Sequence, residues 1–302
     1  MQWFERWKKR QREKNTLISR VYDRLHYYYR LHSAQWEKFN NYDQHVTRPL
    51  TAFKKYGRRA INQATYYEIG VGEGGSLIGL SLAGMHQIFG TDVNRLISKQ
   101  NLITNLKNYQ KYAKKLGLTF PSGIGQPNNT DLTQFLRDNL RIDYRAPYGA
   151  MQTDLPSNSV DYIGSFTVFE HIPKTELVTV LKEHYRLLKP GGVFYCNIDF
   201  RDHIVYNRKK ENRYAYLRYS PVAWQASWQN SNNYYQNRLR TKDYLALFAA
   251  SGFRVLEMIP QDGTPKDVRL RELAKINIDP SFAHYTTDEL LEEGCIFILT
   301  KD

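Results

Sequence analysis

The chain has 302 residues, 41% of them apolar, and carries 43 Lys and Arg against 30 Asp and Glu, a net charge of +13. That length suits one sizeable core with a cap or two modest domains; no stretch approaches the roughly 20 apolar residues of a membrane span, and the N-terminus lacks a secretory apolar run, so the cytoplasm is the expected compartment. The two cysteines, Cys196 and Cys295, each sit in an apolar run, which argues against a disulfide framework or a cysteine zinc site and predicts buried, reduced thiols.

Residues 1–66 hold 15 Lys or Arg against 5 Asp or Glu, so most of the excess charge belongs to the N-terminus. Segment 1–60 reads as helical, basic and aromatic, with Trp3, Phe4, Trp7, Tyr27, Tyr28, Tyr29 and Trp36 among its charges. Such a segment either solvates a helix face while its aromatics pack on the next domain, or meets nucleic acid, an anionic membrane surface or an acidic substrate.

From residue 61 to 302 the pattern is that of one α/β domain. Short apolar runs at 65–70, 87–92, 142–145, 160–166, 193–198, 253–259 and 295–300 alternate with helical stretches near 76–83, 96–116, 131–139, 174–188 and 241–251, the last capped by Thr241. This rhythm predicts a Rossmann-like, doubly wound, mostly parallel seven-stranded sheet with helices on both faces. The polar, aromatic stretch of about 200–240 has no strand rhythm and is read as a cap insertion.

The first strand runs into Glu68-Ile69-Gly70-Val71-Gly72-Glu73-Gly74-Gly75, and Asp92 follows Gly72 by 20 residues at the end of the second strand. Glycines let a ligand approach the backbone more closely than a Cβ permits, and the acid can accept from ribose hydroxyls. A nicotinamide site uses the same elements, so the turn alone leaves the cofactor open. Further along stand Leu155-Pro156-Ser157-Asn158-Ser159-Val160-Asp161-Tyr162-Ile163, Phe169-Glu170-His171-Ile172-Pro173 and Arg186-Leu187-Leu188-Lys189-Pro190-Gly191-Gly192-Val193. Over about residues 65–260 these motifs, in this order, resemble the class I S-adenosylmethionine-dependent methyltransferases of the broad small-molecule, type 11-like group.

The resemblance implies S-adenosylmethionine as cofactor. Glu68, Gly70 and Gly72, with Gly74 in the same turn, would lie beside its methionine part, Asp92 on the ribose, Val93 and the Ala150-Met151 loop around the adenine, and Phe166 at the end of the fourth strand beneath the cofactor. Many relatives carry Asp where this chain has Gly149, which leaves backbone groups or Asp154 to meet the adenine amino group. Methyl transfer to a hydroxyl benefits from a base beyond the fourth and fifth strands, where His171, Asp199 and His203 are the catalytic candidates. His171 could also serve packing, Asp199 could cap a turn or pair with Arg201, and His203 could be an ordinary loop residue. Chain spacing shows no metal-ligand cluster, so no metal is expected.

The leading expectation is O-methylation of a small molecule or saccharide. Aromatic and amide side chains between Tyr214 and Asn237 suit such an acceptor, and suit packing of the cap equally. The alternatives are an RNA methyltransferase using the basic N-terminus, or a scaffold that retains a cofactor fold. The oligomeric state is open.

Overall fold

The structure, a computed structural model, describes residues 42–120, 123–124, 127, 131–203, 205, 211–230 and 235–302. The chain divides between Gln44 and His45, and the larger unit runs from His45 to Asp302. The basic aromatic segment from Trp3 to Trp36, expected to be helical, lies outside the described residues.

Among the described residues one seven-stranded sheet has the order β3-β2-β1-β4-β5-β7-β6. Its strands are β1 (Thr65–Ile69), β2 (Gln87–Thr91), β3 (Ile142–Arg145), β4 (Val160–Phe166), β5 (Leu188–Asp199), β6 (Arg254–Pro260) and β7 (Gly294–Thr300). All adjacent pairs are parallel except those of β7, which runs antiparallel to β5 and β6. The order reverses between β1 and β4. Open sheets of this kind bind ligands beyond the carboxyl ends of the strands at that reversal.

Strand side chains alternate between faces. Tyr67, Ile163 and Phe194 point into a core completed by Leu177, Val180 and Leu181 of α5 (Lys174–Leu187) and by Tyr244, Leu247 and Phe248 of α7 (Thr241–Ala250). On the other face Tyr66 and Tyr162 meet Phe53 of α1 (Arg48–Tyr56), whose ring stacks on Tyr162 at 4.5 Å. Helix α1 thus has a buried apolar face under its Lys54 and Lys55.

The remaining helices are α2 (Gly75–Leu82), α3 (Lys99–Leu116), α4 (Leu132–Leu140), α6 (Pro221–Asn230), α8 (Lys266–Leu273) and α9 (Thr287–Leu291). Ser98 and Asn101 close a reciprocal capping box at the start of α3, and Asp131 caps α4. Arg240, rather than Thr241, is the N-cap of α7; its backbone N–H donates to Asp243 at 2.9 Å, and Thr241 is already helical. Strand β5 begins at Leu188, five residues before the apolar run that marks it in sequence, because Leu188 pairs with Val160 before a register shift. Cys196 and Cys295 are buried and free. No helix among the described residues is long and apolar enough to cross a membrane.

Candidate functional site

Beyond β1 the chain turns through Gly70, Gly72 and Gly74 at φ of +68°, +54° and +77°. These left-handed conformations cost an L-residue roughly 1–2 kcal/mol, and glycine nothing. A Cβ on Gly70 would sit 2.4 Å from Val168 Cγ2, whereas a Cβ on Gly72 would meet no protein atom within 4 Å. Asp92 fixes this turn: its Oδ2 accepts from the Gly72 N–H at 3.0 Å and its Oδ1 from the Asn94 N–H at 2.8 Å.

Glu68 is buried in β1, with Oε1 accepting from Ser76 Oγ at 2.5 Å and Oε2 from the Tyr66 hydroxyl at 2.6 Å. It ties the strand to the first turn of α2. Burial pushes its pKa up to about 7 against those two hydrogen bonds, with Asp92 adding to the rise. Since the folded value lies above the ordinary 4.5, the unfolded chain ionises first as pH rises. Stability is therefore lost between pH 4.5 and about 7 and is level above that. Glu68→Gln removes this dependence, so urea titrations from pH 4.5 to 8 should show the variant gaining on wild type by on the order of 3 kcal/mol across that window. A difference between the two proteins that is constant with pH rejects the raised value.

The other cofactor candidates lie around this turn. Val93 is half-buried beside Asp92, and the Tyr148 N–H donates to the Asp92 carbonyl at 2.8 Å, bringing the loop after β3 against it. Ala150 and Met151 of that loop pack into the main core, and nothing lies within 4 Å of a Cβ built on Gly149. Asp154 is engaged by Arg145 and by the Tyr148 hydroxyl at 3.0 Å. Phe166, buried at the end of β4, has its ring 4.9 Å from that of His45.

Past β4 and β5, the three candidates for proton transfer come together. The Asp199 carboxylate is clamped by Arg201, Nε to Oδ1 at 3.0 Å and Nη2 to Oδ2 at 2.9 Å, and Oδ1 also accepts from the Arg201 N–H at 3.0 Å. His203 Nε2 lies 3.5 Å from Asp199 Oδ2 and 3.9 Å from Glu170 Oε1. Burial works to raise the Asp199 pKa, but the hydrogen bonds of His203 and Arg201 overcome it and hold the group below the usual carboxylate range. The His171 ring is 4.8 Å from that of His203 in an edge contact, and His171 Nδ1 is 2.7 Å from the Tyr235 carbonyl. That carbonyl only accepts, so Nδ1 carries the hydrogen and Nε2 keeps its lone pair. Burial, then His203, lower the His171 pKa to about 4.

Two residues of this region escape sequence reasoning. Glu170 is buried beside Asp199, whose N–H donates to its Oε1 at 3.3 Å, while its Oε2 has no hydrogen-bond partner. Burial and the Asp199 charge push its pKa well above the ordinary value. Its signal was present as a carboxylate adjacent to His171 in the motif after β4. His45, which burial lowers to about 4, carried no signal in its basic surroundings.

Three of the cap aromatics, Tyr214, Tyr216 and Trp224, turn inward. Tyr214, Tyr216, Leu217 and Trp224 form a second small core with Leu273, Phe282, Leu290 and Leu291. Trp224 Nε1 donates to the Gln236 carbonyl at 2.8 Å. Gln236 in turn holds the loop of the cluster, accepting from the His203 N–H at 2.9 Å and donating to the Arg201 carbonyl at 2.8 Å. Packing, rather than an open stacking surface, is what these rings provide.

Residues 131–196 match a family model described as a methyltransferase domain. No curated protein matches the chain in sequence. Among solved structures, the Haemonchus contortus phosphoethanolamine N-methyltransferase 2 is 17% identical over 85% of this chain and 52% of its own, with a TM-score of 0.46. This chain thus spans about half the length of that protein. The Streptomyces coelicolor geranyl diphosphate C-methyltransferase is 12% identical, covering 85% of this chain and 80% of its own at a TM-score of 0.47. An S-adenosylmethionine-dependent methyltransferase of Methanosarcina mazei is 14% identical, covering 82% and 96% at 0.46. Strand order and the family match, not these distant likenesses, carry the fold assignment.

Proposed function

We propose that this chain, an S-adenosylmethionine-dependent methyltransferase of the class I fold, methylates a hydroxyl group of a small molecule or saccharide, with His203 as the proton acceptor. The observation that carries this reading is the His203–Asp199–Arg201 chain beyond β4 and β5. A carboxylate locked by a guanidinium orients an imidazole and stabilises the cation formed when that imidazole takes a proton.

The glycine turn fits the cofactor. The open space over Gly72, the left-handed backbone and the two buried acids Glu68 and Asp92 form a cradle that a side chain would fill. S-adenosylmethionine supplies a methyl group on a positively charged sulfur. Glu68 keeps the turn in place from beneath, and Asp92 holds the Gly72 N–H while offering its carboxylate to the ribose side. Phe166, buried at the end of β4, would lie beneath the cofactor. The His203 imidazole, whose Nε2 faces Asp199 Oδ2 at 3.5 Å, would take the acceptor's proton as the methyl group passes from the cofactor's sulfur to the acceptor oxygen, leaving S-adenosylhomocysteine and a methyl ether.

His171, with Nδ1 tied to the Tyr235 carbonyl and its pKa lowered to about 4 by burial, is a weaker base than an ordinary imidazole. The test is a screen of sugar, phenol and alcohol acceptors with labelled cofactor, reading the position of the new methyl group by mass spectrometry. Transfer to oxygen supports the reading; transfer only to nitrogen or carbon acceptors overturns it.

A further inference from the structure

We propose that Glu170, His171 and His203 form a binding site for a divalent transition-metal ion, of the zinc, cobalt or iron(II) type, at the acceptor end of the methyl-transfer site. One ligand-capable atom from each of the three lies within 4.8 Å of the others. Around an ion with ligand distances of roughly 2.0–2.2 Å, tetrahedral ligand atoms are about 3.4 Å apart, so side-chain ends need to close by little more than about 1 Å. The sequence hides this site, because the residues come from the turn after β4 and the loop after β5 and meet only through parallel pairing of those strands.

Three observations point to a cation rather than to a structural network. Glu170 is 3% exposed, and its Oε2 has no hydrogen-bond partner, a costly arrangement for a buried carboxyl oxygen. His171 is fixed by the Tyr235 carbonyl in the tautomer that presents Nε2, the outer hydrogen bond that metal-bound imidazoles characteristically make. The region also concentrates acid: Asp199 lies against both Glu170 and His203 and brings a second carboxylate to the edge of the site. Two imidazoles with one carboxylate select first-row transition ions over magnesium or calcium, which prefer oxygen-only shells. Three protein ligands leave a coordination position for an acceptor oxygen.

The chemical role rests on the hydroxyl reading above; the ligands do not. The ion and the proton are alternative occupants of the His203 ring: in the metal-free site the imidazole takes the acceptor's proton, whereas an ion held by Nε2 would itself polarise the acceptor oxygen and the proton would pass to water. The test is titration of tag-free, chelator-treated full-length protein with Co2+, read by visible absorption and by calorimetry without any acceptor present. One equivalent should bind with a ligand-field band, and Glu170→Gln and His203→Ala should each weaken binding at least about 30-fold while circular dichroism and S-adenosylmethionine binding stay at wild-type level. Absence of saturable binding to the wild-type protein overturns the site, as does binding unchanged in both variants, which would leave Glu170 a protonated structural group. Because the readout needs no turnover, a site that binds Co2+ beside an enzyme that methylates nitrogen would refute the hydroxyl reading alone.

Discussion

His203→Ala is expected to lower kcat by at least about 100-fold, the usual size of a positioned acid–base contribution, while leaving S-adenosylmethionine affinity within about twofold of wild type. His203 reaches the site on the loop that follows β5, where Gln236 accepts from its backbone N–H and Asp199 faces its ring. Alanine retains the first of these contacts and loses only the imidazole, so the loop keeps its place. The glycine turn lies at the end of β1 and is untouched. The effect therefore belongs in kcat, measured under saturating cofactor, with KM for the acceptor as a second readout. Turnover within about threefold of wild type would remove His203 from the chemistry. Asp199→Asn is a weaker version of the same lesion: the ring loses the charge that steadies its cation, and the Arg201 guanidinium loses its clamp.

How far these residues can be read from sequence depends on how local their structure is. The glycine turn and Asp92 announce themselves because an apolar run ending in Gly-x-Gly is a one-dimensional pattern. All the strands were legible as apolar runs, including the antiparallel β7, although nothing in a run of apolar residues says that it will insert between β5 and β6. The catalytic candidates His171, Asp199 and His203 do converge, but the residue that links them, Glu170, hides in a motif that reads equally well as a turn. Residues 261–293 carried no assignment. Their helices α8 and α9 are short, and they are held by burial of Leu273, Leu290 and Leu291 against Tyr214 and Trp224, a contact no local pattern encodes. The same packing accounts for the burial of Tyr214, Tyr216 and Trp224, whose residue types suit a sugar site equally well. Helix α1 falls within the segment 1–60 read as helical, and the burial of Phe53 on Tyr162 is what attaches it to the sheet beneath Lys54 and Lys55.

Gly72→Ala should separate cofactor binding from folding more sharply than any other change in the turn. Its φ of +54° charges an alanine roughly 1–2 kcal/mol in the folded state. The new methyl meets no protein atom within 4 Å, so that strain is the whole folding cost. The same methyl projects into the open space that the proposed cradle assigns to the cofactor, and the Gly72 N–H is fixed by Asp92, so the backbone cannot retreat without breaking a 3.0 Å hydrogen bond. Loss of S-adenosylmethionine affinity by at least about 100-fold in Kd, equivalent to about 2.7 kcal/mol, is therefore expected with only a modest fall in Tm. Gly70→Ala supplies the contrast. There the methyl would lie 2.4 Å from Val168 Cγ2 at a φ of +68°, so strain and a clash act together and the folded protein itself should suffer. Calorimetry with S-adenosylmethionine beside thermal unfolding of both variants distinguishes the cases. If Gly72→Ala binds the cofactor like wild type, the open space over the turn is not where the cofactor sits, and the cradle must be sought on the other side of Asp92.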